Sequence, residues 1–201
     1  MSNKLLDKQY NLLLQEEKRF AKRVAYLIRA QTPRPWWHIF VPFKFLFEYL
    51  TLKRDMRSFL ANQVYLKQIA LSAAYRSLKS NAQHKSQQEM QAELRDFCLH
   101  TQKIESQKVY ESLAQWMNVL FKHYCRLFET QERDYQALLR RAYNSAPAYQ
   151  SFLEQLNSLE RQIEQELQDS SSAGSLADYT RQRQKATQEM RAREARDIFL
   201  A

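Results

Sequence analysis

The sequence predicts an all-α protein: a few long helices in an extended bundle or coiled-coil-like rod, with a Pro-bent aromatic segment near the amino terminus. Three observations carry this. One Gly and four Pro in 201 residues leave little of the punctuation that strand folds recruit for turns. Gln, Glu, Lys, Arg, Ala and Leu dominate, and all are good helix formers. Apolar side chains recur at spacings of three and four over most of the chain. With 44% hydrophobic residues at this length, the chain can bury a sizeable core and is not wholesale disordered.

Residues 3–31 read as the first helix, with Leu6, Tyr10, Leu13, Leu14, Phe20, Val24, Leu27 and Ile28 on one face. Its other face turns basic after Glu17, with Lys18, Arg19, Lys22, Arg23 and Arg29 and no acid until Glu48. A merely solvated face usually mixes charge signs. Thr-Pro-Arg-Pro at 32–35 ends the helix, because a residue before Pro is pushed out of the α region. Residues 1–34 therefore form an amphipathic basic unit.

Residues 36–52 are the most apolar stretch: twelve of seventeen side chains are apolar or aromatic, and seven are Trp, Phe or Tyr. Pro42 puts a bend between residues 36–41 and the run from Phe43. Net charge concentrates here as well, at +8 over residues 18–57 against −1 before them and +2 after. Two readings follow for residues 35–57. In one, the bend enters one leaflet of a membrane: Trp36, Trp37, Phe40, Phe43, Phe45 and Phe47 reach the apolar boundary. Lys18, Arg19, Lys22, Arg23, Arg29, Arg34, Lys53, Arg54 and Arg57 then meet anionic headgroups. Ten helical residues from Phe43 reach only about 15 Å, half of a roughly 30 Å hydrocarbon core, so the stretch dips in without crossing. In the other reading it fills a protein core, or a hydrophobic groove or a partner helix covers it. The first reading is preferred because basic flanks on both sides keep both ends at the cytoplasmic face.

The run from Phe43 continues as a helix to about Ser80, followed by a polar connection over Asn81–Ser86. From about Gln87 to Tyr143 an apolar pattern runs without a breaker and predicts an unbroken or gently bent rod; a helix pair divided near residues 101–108 is the alternative. Ser145 and Pro147 start another helix, whose seam is Tyr149, Phe152, Leu153, Leu156, Leu159, Ile163 and Leu167. Residues 58–169 thus form the long-helix part. The chain's one Gly lies in the Ser-rich stretch 170–175, a flexible linker, and residues 176–201 read as a helical tail docked loosely for want of large apolar groups.

No residue set reads as an active site, and no cofactor or small-molecule substrate is implied. Gly-rich phosphate loops, nucleophile elbows and Cys-x-x-Cys pairs are missing from the sequence. Cys98 and Cys125 make no disulfide framework, and with no export signal the expected compartment is the cytoplasm. A metal site from Asp96, His100, His123 and Cys125 is disfavoured, because Asp96/His100 and Cys125/Glu129 face-sharing pairs arise commonly by chance. Nucleic acid is the usual suspicion at pI 9.6, but the excess bases flank the aromatic stretch. In the tail, Arg181, Arg183, Lys185, Arg191, Arg193 and Arg196 are partly offset by Glu189, Glu194 and Asp197. The expectation is a non-catalytic structural or adaptor protein, peripherally docked on an anionic membrane and contacting a protein partner or a second copy through its long helices. A soluble helical interaction module with a buried aromatic segment is the alternative.

Overall fold

The computed structural model describes residues 3–31, 64–101, 104, 106–170 and 176–199, and every regular element among them is helical. The aromatic stretch 36–52 and most of the 170–175 linker lie outside the described residues. Helix α1 spans Asn3–Gln31, as its apolar spacing predicts. Helix α2 is described over residues 64–80, ending where expected. Ala70, Ala73 and Ala74 are fully buried on it, and side chains that small let neighbouring backbones approach closely. Tyr10 of α1 shares a 3.0 Å hydrogen bond with Ser72, and the Tyr75 hydroxyl donates to Asp7 at 2.5 Å, which ties α2 to α1.

The predicted connection over 81–86 is shorter than expected. Asn81, in the left-handed region at φ 51°, closes α2, and α3 begins at Gln83 and runs to Asp96. Arg76 of α2 bridges Glu89 and Glu93 of α3 at 3.4 and 3.0 Å.

The rod predicted over 87–143 is corrected to three helices. Helix α3 passes into a π-helical turn at Phe97–Thr101, α4 spans Gln107–Glu129, and α5 spans Tyr135–Tyr143. Each restart has a side-chain cap: Ser106 Oγ accepts from Val109 N at 3.5 Å, and Asp134 carboxylate accepts from Ala137 N at 3.0 Å. The second break, at 130–134, is pinned from α1. There the buried Gln9 amide donates to the carbonyls of Thr130 (2.7 Å) and Glu132 (3.2 Å). Asp134→Ala removes the α5 cap and lowers stability by about 1 kcal/mol in chemical denaturation, with Asp134→Asn nearly silent because Asn caps as well.

Helix α4 is the middle of the core. Trp116, Met117, Leu120, Phe121, Tyr124, Leu127 and Phe128 are buried, while Lys108, Glu111, Gln115, Lys122, Arg126 and Glu129 form one narrow exposed stripe. A helix apolar over so wide an arc has to be enclosed by others. Asn144, at φ 58°, caps α5 in the left-handed conformation that Asn tolerates, and α6 starts at Ala146 and reaches Ser170 with Ser145 Oγ accepting from Ala148 N. Its seam residues Tyr149, Leu153, Leu156 and Ile163 join the same core as α4.

The last helix, α7, spans Leu176–Phe199, and it is no loosely docked tail. It lies along α1 and α6. Ala186 and Met190 bury against Val24 and Ile28 in a small second core, and Ile198 enters the main one. A count of large apolar groups underestimates this docking because the inner face of α7 also buries Arg183, Thr187 and Arg191.

Candidate functional site

The outer face of α1 is basic because its acids are drawn away. Glu17 turns inward, where its carboxylate accepts from Lys67 at 2.7 Å and from the Tyr124 hydroxyl at 2.6 Å. Burial alone would raise the Glu17 carboxyl, and the Lys67 ammonium together with these hydrogen bonds outweighs that and holds it below the usual carboxylate range. Glu16 is occupied by Arg19 at 2.5 Å. Lys18, Arg19, Lys22 and Arg23 are all exposed, and Tyr26, one turn on, is 73% exposed beside them. Lys4 and Lys8 extend the same face toward the amino terminus.

Of the residues expected at a membrane-facing site, the structure thus places Lys18, Arg19, Lys22 and Arg23 together. Arg29 belongs to α1 by its backbone alone. Arg34, Trp36, Trp37, Phe40, Phe43, Phe45, Phe47, Lys53, Arg54 and Arg57 lie outside the described residues. No helix among the described residues is long and apolar enough to cross a membrane.

Behind this face lies a charged layer that joins the helices. Arg191 of α7 forms a two-pronged bridge to Glu160 of α6, with both N···O distances at 2.7 Å, and also donates to Asn157. Trp116 Nε1 of α4 donates to the same Glu160 carboxylate at 3.2 Å. Burial would raise Glu160, and the Arg191 guanidinium overrides it and keeps the carboxyl ionised below its ordinary range. One turn along α6, Glu164 pairs with Arg183, whose pKa burial pushes down to about 10. These pairs show where two tail bases go: Arg183 and Arg191 face inward.

A cavity of about 30 Å³, room for one or two waters, sits where α1, α4, α5, α6 and α7 converge on Lys67 of α2. His123 lines it. Its Nδ1 shares a 2.6 Å hydrogen bond with the Tyr143 hydroxyl, and its ring stacks on Phe152 at 4.3 Å. Burial pushes the imidazole down to about 3, so it is a neutral core side chain. The histidine–thiol set considered from sequence does not assemble. Asp96 and His100 meet at 3.6 Å with both side chains about three-quarters exposed, and no group of three potential metal ligands forms among the described residues.

The charged layer was missed from sequence, although one signal was there. Glu160 falls inside the stripe of Leu153, Leu156, Ile163 and Leu167, a position where a carboxylate needs a buried cationic partner. Comparison of the chain with models of protein families, with curated proteins and with solved structures returns no match.

Proposed function

We propose that the protein is a non-catalytic structural or adaptor protein that docks peripherally on an anionic membrane surface, at its cytoplasmic face, through the basic face of α1 and the aromatic stretch 36–52. The observation that carries this is the segregation on α1: Lys18, Lys22 and Arg23 point to solvent while Glu17 is sequestered inside. Each base near an anionic leaflet contributes about 1 kcal/mol, and aromatic insertion supplies the second signal that stable anchoring requires. The long helices then serve protein contacts, with a partner or a second copy.

Sedimentation with vesicles tests it. The native chain pellets with phosphatidylserine-containing vesicles and not with neutral ones. Lys18→Glu/Lys22→Glu/Arg23→Glu lowers the vesicle partition constant at least tenfold, about 1.4 kcal/mol or more. Trp36→Ser/Trp37→Ser/Phe40→Ser/Phe43→Ser abolishes binding while the far-ultraviolet helical signal is retained. A native chain that stays in the supernatant with anionic vesicles overturns the reading, and an aromatic variant that also unfolds identifies residues 36–52 as core.

A further inference from the structure

Helix α7 differs from the other long helices in what holds it. Among its described side chains, the buried apolar ones are Ala186, Met190 and Ile198, with Ala195 and Phe199 packed at the core's edge. The rest of its inner face is polar: Arg183, Thr187, Arg191 and Glu194. Two of these pair with α6. Glu194 instead enters the cavity on the α1 side, where no base among the described residues pairs with it closely.

Every element around that cavity presents a charged or titratable group. From α1 come Glu16 and Glu17, with Arg23 nearby; from α2, Lys67; from α4, His123. Tyr135 of α5 and Tyr149 of α6 line the cavity beside it, and Arg191 on its own helix is engaged by Glu160. Lys67 is engaged by Glu17. The two cations of the cavity are therefore committed to other carboxylates, and Glu194 faces the ionised Glu17 across about 30 Å³.

We propose that α7 is a proton-controlled clasp: protonated Glu194 seats the helix on α1, and its ionisation beside Glu17 loosens α7 and uncovers the Phe20, Val24, Leu27 and Ile28 flank of α1. Burial first, and then the Glu17 charge, push the Glu194 carboxyl up to about 7, which places the change near neutrality. The sign follows from linkage. The docked state holds a proton that the free helix releases near 4.5, so docking is strongest in acid and weakens as pH rises through 7. His123 does not counter this, because Tyr143 of α5 and Phe152 of α6 keep its ring covered when α7 leaves. The clasp needs no lipid and stands independently of membrane docking.

Hydrogen exchange of the full chain in lipid-free buffer, corrected for intrinsic rates, tests it. Opening of α7 rises about tenfold from pH 6 to pH 8, as a carboxyl shifted from 4.5 to about 7 requires. Over the same range α4 is unchanged. In Glu194→Gln the α7 rates become flat with pH, while Glu189→Gln, on the same helix outside the cavity, keeps the tenfold rise. Flat α7 exchange in the native chain overturns the clasp, and so does an undiminished rise in Glu194→Gln.

Discussion

Replacing Arg191 by Met lowers the stability of the protein by about 3–5 kcal/mol in urea unfolding at pH 7, among the largest single-residue effects in the molecule. The reason is what remains. Arg191 is 4% exposed and satisfies both oxygens of Glu160. Methionine fills much of the volume but supplies no donor, so the Glu160 carboxylate stays desolvated with Trp116 Nε1 as its remaining hydrogen-bond donor and only the more distant Lys67 and Arg183 charges to offset it. Removing the carboxylate as well reverses most of the loss: Arg191→Met/Glu160→Leu comes within about 1–2 kcal/mol of the native chain, the residue reflecting the orphaned indole N–H. The pH dependence separates this from simple loss of packing. Glu160 has a depressed folded-state pKa, so its pairing contributes fully above the ordinary carboxyl value of 4.5 and fades as pH falls through its lowered value. The gap between native and Arg191→Met therefore narrows in acid. A single variant as stable as the native chain at pH 7 would show that Glu160 reaches water or another cation.

How much of this was readable in advance depended on the kind of signal. Helix α1 and the ends of α2 and α6 were legible because Pro33, Pro35, Ser145 and unbroken apolar stripes act locally, on the residues that carry them. The division of residues 87–143 was harder. Neither break contains Gly or Pro, and each rests on a single cap, Ser106 or Asp134, in a run of polar residues that also suits an exposed helical turn. What tips the second one is Gln9, more than a hundred residues away, which supplies donors to the carbonyls freed at Thr130 and Glu132. The basic face of α1 was legible as a list of charges, and the inward turn of Glu17 sharpened it. The docking of α7 was hidden because apolar count is the usual guide to burial, and here two Arg–Glu pairs from separate helices do that part. A carboxylate in an apolar stripe and an arginine in a helix with few large apolar groups are each ambiguous. Only their meeting in space assigns them to one another.

Trp116→Ala lowers stability by about 3–5 kcal/mol, the range for truncating a buried aromatic in a packed core. Trp116 is 2% exposed and belongs to the same core cluster as Met117, Leu120, Leu153 and Leu156. Because α4 has neighbours over most of its circumference, no single helix can slide in to fill the gap without losing contacts elsewhere, so collapse is limited and the cost sits high in that range. Trp116→Phe separates the two roles of the indole. It keeps most of the ring volume and loses the donor to Glu160, and its cost is about 1–2 kcal/mol. Combined with Arg191→Met, that small change grows, because Trp116 Nε1 is then the remaining strong donor in reach of the Glu160 carboxylate; contacts on one shared group do not add. A double-mutant cycle in urea therefore yields a coupling of about 0.5–3 kcal/mol. Zero coupling would mean that the tryptophan acts on α6 through packing alone and that the charged layer ends at Glu160.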